Sequence, residues 1–172
     1  RPPVPAIEPA IVMLPAGFTA AEDTPSPLVF ARQAFGDPDS PGSASMTVLV
    51  QVPDGVLRAA TDAGVTVSGT ATARTFTGSL AALNNYFGRM PSLITYQPTL
   101  NSTAGRTLSV KITQRVNGTD LSSTATSPIT VTPVDDAPTA TAPPAFTVTE
   151  DVAGNLVWPA SATPFAYIDI TL

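Results

Sequence analysis

The chain has 172 residues, of which 43% are hydrophobic, and this is enough for one packed domain and part of another. Only 12% are charged, the net charge is −5 and no basic patch is present, which argues against nucleic acid as a partner. Cysteine and histidine are absent, so disulfides, thiolate or imidazole metal sites, and catalysis by either residue are excluded. No apolar segment approaches the roughly 20 residues of a membrane-spanning helix, so membrane insertion is not expected.

The first 15 residues form a proline-rich segment with one apolar run, Ile11-Val12-Met13-Leu14. Because proline has no backbone N–H, residues 1–15 are predicted to be an extended arm that does not pair in a sheet. Exposed apolar runs usually mark contact sites. We therefore expect the arm to contact a partner chain and assemble with it instead of folding back on its own module; a plain linker is the alternative.

Residues 16–135 are predicted to form one β-domain, because short strands alternate with turns rich in proline, glycine and aspartate. Apolar and polar residues alternate most clearly over 46–52 and 108–116. Asn117-Gly118 is a strong signal for a hairpin turn. In chain order, the predicted strands are 19–21, 28–35, 46–52, 56–60, 65–68, 73–77, 93–96, 108–116 and 127–132.

One helix interrupts this pattern. Ser79 can cap its first turn, Leu80, Leu83 and Phe87 recur at helical spacing, and Gly88 follows near its end. The regular spacing of strands and turns predicts an all-β fold, an antiparallel β-sandwich that carries this one short helix.

Residues 18–30 return without gaps as residues 146–158. The identical pairs are Phe18 and Phe146, Thr19 and Thr147, Glu22 and Glu150, Asp23 and Asp151, Leu28 and Leu156, and Val29 and Val157. A period of this length corresponds to a whole domain. Residues 136–172 are therefore predicted to be the start of a second, incomplete copy, which is too short to bury a core of its own.

Three motifs resemble the cadherin-like repeats of large bacterial surface adhesins: Asp135-Asp136-Ala137-Pro138 after the last strand, Phe-Thr-Val-Thr-Glu-Asp at 146–151, and the helix followed by Leu93-Ile-Thr-Tyr-Gln-Pro98. The resemblance implies an immunoglobulin-like (cadherin-like) sandwich, extracellular or on the cell surface, with neighbouring repeats of the same chain as partners. It also implies that Ca²⁺ stiffens the junctions between repeats. The chain departs from the family at Tyr167, where the first Asp of an Asp-x-Asp pair would stand.

Acidic residues in the predicted turns are the candidate Ca²⁺ ligands, since Ca²⁺ takes six to eight oxygens, mostly from carboxylates and backbone carbonyls. The candidates are Glu22, Asp23, Asp37, Asp39, Asp135, Asp136, Glu150, Asp151 and Asp169. The alternative interpretation is that these acids only cap turns, where Asp is common.

Strand length decides which of these acids can meet, because a strand carries the chain from one end of a module to the other. We expect Glu22, Asp135, Asp136 and Asp169 to share the junction between the two copies. Asp37 and Asp39 are expected at the opposite end of the first module, beside the arm, and Glu150 at the far end of the second copy.

The sequence predicts a non-enzymatic module, because it has no Gly-x-Ser-x-Gly motif and no second acidic loop to match residues 37–42. We expect a Ca²⁺-stiffened extender repeat of an extracellular bacterial adhesin that contacts a protein partner or a cell-surface ligand. One alternative is an immunoglobulin-like virion protein, such as a phage tail or head fibre, that docks through the arm. Another is an accessory module of a secreted carbohydrate-active enzyme.

Overall fold

The computed structural model describes residues 1–3, 6–142, 145–158 and 165–166. The chain separates into two compact units, Arg1–Pro133 and Val134–Leu172. β-Strands are the main regular secondary structure of the described residues, which contain one short helix. Within them, no helix has the length and apolar character needed to cross a membrane. The elements in chain order are β1 (Ile11–Val12), β2 (Phe18–Ala21), β3 (Ser26–Pro27), β4 (Phe35–Gly36), β5 (Ser45–Gln51), β6 (Val56–Arg58), β7 (Thr66–Gly69), β8 (Ala73–Ser79), α1 (Leu80–Phe87), β9 (Thr95–Gln97), β10 (Arg106–Val116), β11 (Thr119–Thr132), β12 (Thr139–Ala140) and β13 (Phe165–Ala166).

The first unit is built on a six-stranded sheet with the order β2-β11-β10-β5-β8-β7, and smaller sheets β3-β9-β6 and β1-β4 complete it. Side chains of the large sheet, such as Ile112, and of the three-stranded sheet, such as Leu57, belong to one core. The sheets are not purely antiparallel as predicted, because β2 and β11 run parallel, with Phe18 opposite Ile129. The first and last long strands of the unit lie side by side and run in the same direction.

Both predicted alternations are confirmed in the centre of the large sheet. Every second side chain of β5 and β10 is buried, namely Met46, Val48, Val50, Leu108, Val110 and Ile112. The two strands pair with Val110 opposite Val50 and Ile112 opposite Val48, so the apolar faces coincide. Burying side chains of this kind stabilises a fold by about 1.5–3 kcal/mol each, before entropy is counted.

The predicted helix is confirmed as α1. The Ser79 hydroxyl accepts a hydrogen bond from the Ala82 N–H at 3.1 Å, and the Gly88 N–H donates to the Asn84 carbonyl at 2.9 Å. Helix α1 places Phe87 among four other aromatic rings with centroids 4.9–6.0 Å away, those of Phe30, Phe35, Phe76 and Tyr86. Helix and sheets are therefore joined through one aromatic cluster.

The predicted strand over 28–35 is wrong, since β3 ends just before it at Pro27 and β4 includes only its last residue, Phe35. The chain turns at residues 32–33, so a continuous ladder cannot form over this range. Leu28 is nevertheless fully buried, and its N–H donates to the Ile94 carbonyl at 2.9 Å. The β10–β11 hairpin is longer than predicted and turns at Asn117-Gly118, both of which have positive φ.

The prediction that the arm does not fold back on its own module is wrong for residues 8–15. Strand β1 pairs with β4, the Met13 N–H donates to the Ala34 carbonyl at 2.8 Å, and Ala10 is buried. The prolines lie on either side of β1, so Ile11 and Val12 keep the amides that pairing requires. Ile11 and Met13 still expose about half of their surface, 53% and 47%, and contact of the arm with a partner chain stays a prediction.

The second unit contains the two-stranded sheet of β12 and β13. Its repeated segment shares the ring spacing and a positive φ with the first copy, although the angle between the two rings differs, 58° and 28°. Rings Phe18 and Phe30 lie 5.1 Å apart and the equivalent rings Phe146 and Trp158 lie 4.9 Å apart, while Asp23 and Asp151 have φ values of 62° and 60°. The sequence repeat is therefore also a structural repeat at this scale.

Burial differs between the two copies. Leu28 is 0% exposed, whereas the equivalent Leu156 is 65% exposed. In the first copy the covering residues come from later strands and from α1, none of which has a counterpart among the described residues of the second unit.

Phe87→Ala is expected to lower the free energy of unfolding of the first unit by about 3–5 kcal/mol, because a buried ring and its aromatic contacts are lost. Urea denaturation of the full chain, followed by circular dichroism, measures the change. Leu100→Ala is the control; Leu100 is exposed, and we expect a change within about 0.5 kcal/mol. Phe87→Leu keeps part of the volume and should fall between the two. Equal effects of Phe87→Ala and Leu100→Ala would contradict the assigned core.

Candidate metal centre

The acidic loop, residues 37–42, follows β4 and reverses the chain towards β5. The Asp37 Oδ1 atom accepts a hydrogen bond from the Asp39 N–H at 3.0 Å, which closes a local turn. The Asp39 Oδ2 atom accepts from the Glu8 N–H at 3.1 Å. Asp37 and Asp39 therefore lie beside the N-terminal arm, as the strand-length argument predicted.

Helix α1 holds the acidic loop on both sides. Asn84 makes two hydrogen bonds to the backbone of Phe35 just before the loop, one from the Phe35 N–H to its Oδ1 and one from its Nδ2 to the Phe35 carbonyl, both 2.9 Å. At the end of the loop the Gly42 carbonyl accepts from the Ala81 N–H at 2.9 Å. The geometry of the loop thus depends on the docking of the helix.

Gln114 reaches the acidic loop from the core. It continues the buried row of β10 after Ile112 and exposes only 7% of its surface. Its Nε2 atom donates to the Ser40 Oγ at 2.6 Å. Sequence reasoning missed this residue, although a polar residue that continues an apolar row of a strand is a usable signal.

Two acceptor atoms of this region are buried and accept no hydrogen bond from the described residues: Gln114 Oε1 and Asp37 Oδ2. A buried acceptor without a donor costs about 1–3 kcal/mol, and more when it carries charge. The oxygens available here are the kind that Ca²⁺ prefers, namely carboxylate, amide and hydroxyl oxygens. The acceptor types present are therefore compatible with Ca²⁺, although only two carboxylates, those of Asp37 and Asp39, lie in this loop.

Glu22 and Asp23 lie at the other end of the first unit, where β11 ends. The Glu22 N–H donates to the Thr132 carbonyl at 2.9 Å, and the Glu22 side chain is buried. The Asp23 Oδ1 atom accepts from the Asn101 N–H at 2.9 Å. The Asp23 carbonyl accepts from Gln97 Nε2 at 2.9 Å, so this acid also fixes a turn against the loop that follows β9.

An ion pair that the sequence did not reveal stabilises the same loop. The guanidinium of Arg106 is largely buried, and its Nε lies 2.8 and 3.0 Å from the two carboxylate oxygens of Asp54. Thr99 Oγ1 donates to Asp54 at 3.1 Å, and the Tyr96 hydroxyl donates to the Asp54 carbonyl at 3.2 Å. The hydrogen bond from Arg106 lowers the pKa of Asp54, and burial raises the pKa of Tyr96. Asp54 is neutralised within the protein and is not a free metal ligand.

The predicted junction set is not assembled by the described residues. Asp135 and Asp136 belong to the second unit and Glu22 to the first. Glu150 is exposed in a turn of the second unit, and Asp169 lies outside the described residues. Across the described ranges, no group of three or more His, Cys, Asp and Glu residues could hold a metal ion. The junction site stays a prediction.

Comparisons of the chain with protein-family models, with curated proteins and with solved structures gave no match. The resemblance to cadherin-like repeats therefore rests on sequence motifs alone and enters the functional argument as a proposal.

The stability of the first unit is expected to fall in acid through the Asp54–Arg106 pair. The folded-state pKa of Asp54 is below its ordinary value of 3.8, so the contribution is present above about pH 3.8 and is lost as the pH falls through the lower, folded-state pKa. Asp54→Asn should lower stability at neutral pH, because Arg106 stays buried without its counter-charge, and should flatten this part of the profile.

Urea denaturation at a series of pH values measures both effects. Asp120→Asn is the matched control, since Asp120 forms an exposed ion pair with Arg115 and such pairs contribute little. The role assigned to Asp54 would be disproved by superimposable pH profiles for Asp54→Asn and the unmodified chain.

Proposed function

We propose that the chain is a non-enzymatic structural module that transmits tension between neighbouring repeats of one polypeptide, as an extender of an extracellular bacterial surface adhesin does. The observation that carries the proposal is the parallel pairing of β2 with β11 in the first unit. Ca²⁺ at the junctions between repeats, and a protein or cell-surface ligand elsewhere in the adhesin, belong to the same proposal.

Parallel terminal strands determine how a pulling force acts on the unit. The chain enters β2 at Phe18 and leaves β11 at Thr132, and these points lie at opposite ends of the paired strands because the strands are parallel. Tension on the flanking chain therefore pulls the two strands past each other along their lengths. All hydrogen bonds between them resist at the same time, whereas a hairpin pulled open from one end loses its bonds one by one.

The bonds between the terminal strands can be assigned from their ends. The Thr132 carbonyl accepts from the Glu22 N–H at 2.9 Å, so Thr132 directs its backbone polar groups towards β2. Alternate residues of a strand point the same way, and Thr130 must direct its N–H towards β2 as well. The arm adds a contact on the same side, from Ser127 Oγ to the Pro15 carbonyl at 2.7 Å.

Pro128 agrees with this assignment. It lies within β11 opposite Thr107, and proline cannot donate to a ladder. Because it occupies the same alternate set as Thr130 and Thr132, its nitrogen faces the outer edge of β11 and the ladder with β10 is preserved.

Two features of the sequence support the proposal: the repeated segment, and the absence of histidine and cysteine. The repeated segment has similarly spaced ring pairs and the same positive φ in both units, as expected for copies of one module in series. The chain has no histidine or cysteine to serve as catalytic base or nucleophile. The virion alternative, in which the arm docks on another protein, stays a prediction, since β1 pairs with β4 while Ile11 and Met13 remain about half exposed.

Single-molecule force spectroscopy tests the proposal on the full chain. Because the chain contains no cysteine, the variant Ala16→Cys with Val134→Cys gives two unique handles that pull β2 and β11 along their lengths. Ala104→Cys with Val134→Cys pulls apart the same end of β10 and β11 and opens that hairpin bond by bond. We expect the first geometry to unfold at a several-fold higher force. Equal forces in the two geometries would remove the basis of the proposal.

Proline substitutions in the first pulling geometry give a residue-level test. Thr130→Pro removes an N–H that faces β2 and should lower the unfolding force. Thr126→Pro is the matched control: both threonines are exposed, both belong to the same alternate set of β11, and only Thr130 lies opposite β2. An equal reduction by both substitutions would show that the β2–β11 pairing does not set the mechanical strength.

A further inference from the structure

Gln114 occupies a position that the fold would fill more simply with an apolar residue. Leu108, Val110 and Ile112 precede it in the same buried row of β10, and all three are fully buried. Gln114 is itself more than nine-tenths buried, and its amide is directed at the acidic loop by the bond from Nε2 to Ser40 Oγ. Its Oε1 atom is left without a donor among the described residues. Such an arrangement destabilises a protein unless something supplies the missing partner.

Asp37, in the same loop as Ser40, also has an acceptor atom without a donor. Its Oδ1 atom accepts from the Asp39 N–H, but its Oδ2 atom is buried and accepts nothing from the described residues. Among the described residues, ion pairs join Arg89 to Asp62, Arg106 to Asp54 and Arg115 to Asp120, and none of these involves Asp37 or Asp39. The loop thus carries two carboxylates and a hydroxyl group that contacts the buried amide of Gln114, and it has no cationic partner in the ion pairs of the described residues.

We propose that the acidic loop and Gln114 together bind one Ca²⁺ ion inside the first unit, with Gln114 Oε1 as the ligand from the core side. Asp37, Asp39 and Ser40 supply the loop oxygens. All of these donors are oxygens, which suits Ca²⁺ and not Zn²⁺, for which nitrogen and sulfur ligands are usual. Only two carboxylates take part, so the affinity belongs with extracellular modules, at a Kd of about 10⁻⁴–10⁻³ M.

This site differs from the calcium expected at the junctions, since it requires no residue of the second unit. Binding would connect three segments that are distant in sequence: the arm through Glu8, the loop, and β10 through Gln114. The inference does not depend on the tension-carrying function, because a Ca²⁺ ion could stabilise this loop in a module of any role. The force measurements can therefore contradict the proposed function while the calcium measurements support this site, and the reverse is equally possible.

Thermal unfolding of the full chain in a chelator and in increasing CaCl₂, together with calorimetric titration, tests the proposal. We expect the Tm to rise by several degrees at millimolar Ca²⁺, because the ion binds the folded state. Gln114→Leu should abolish the rise, or weaken binding by about tenfold or more, while raising the Tm in chelator because the unsatisfied amide is gone. A variant that only damaged the fold would lower the Tm in chelator. A higher Tm in chelator together with a lost Ca²⁺ response therefore indicates loss of a ligand.

Further variants keep the test decisive. Gln114→Glu retains an oxygen and adds charge, so the chain should be less stable in chelator and bind Ca²⁺ more tightly. Asp37→Asn should weaken binding, whereas Asp120→Asn, an exposed acid at the other side of the hairpin, should not. The proposal is overturned if the unmodified chain shows no calcium-dependent shift. It is also overturned if Gln114→Leu and Asp37→Asn respond to Ca²⁺ like the unmodified chain, since the ion would then lie elsewhere.

Discussion

The packing of Phe87 is the contact on which most of the first unit depends. Its ring joins Phe30 and Phe35 from the proline-rich first third of the chain to Phe76 of the large sheet. Once α1 is docked in this way, Asn84 on the same helix reaches the backbone of Phe35 and fixes where the acidic loop begins. The geometry of the candidate metal centre consequently depends on core packing, because a change that moves the helix also moves the loop.

The two ends of the first unit treat their acidic residues in different ways. At the end where β11 stops, Asp54 is balanced by the buried guanidinium of Arg106, and its carboxylate is fully used. At the arm end, Asp37 and Asp39 receive backbone N–H groups but no cation from the described residues. Unpaired buried acceptors occur at both ends, because Asp23 Oδ2 at the first end, like Asp37 Oδ2 and Gln114 Oε1 at the arm end, accepts nothing from the described residues.

Local patterns were enough to predict the parts of the fold that local physics decides. Alternation gave β5 and β10, and the cap at Ser79 gave the helix, because side-chain spacing and capping act within a few residues. The parallel β2–β11 pair and the docked arm could not be predicted this way, since both depend on pairing between segments more than 100 residues apart. Gln114 was missed because its partner, Ser40, is also remote in sequence, 74 residues away.

Pro128 and the arm also bear on how identical modules could coexist in one polypeptide. Beyond the end of β2, the outer edge of β11 is a row of backbone groups that a strand of similar sequence could join. Copies in tandem are held at high local concentration, so an open edge of this kind would favour mispairing between neighbours during folding. Pro128 interrupts the row of donors, and the bonds from Ser123 and Ser127 to the arm cover the adjacent stretch. The proline-rich arm thus covers part of an edge of the first unit that a strand of similar sequence could otherwise join.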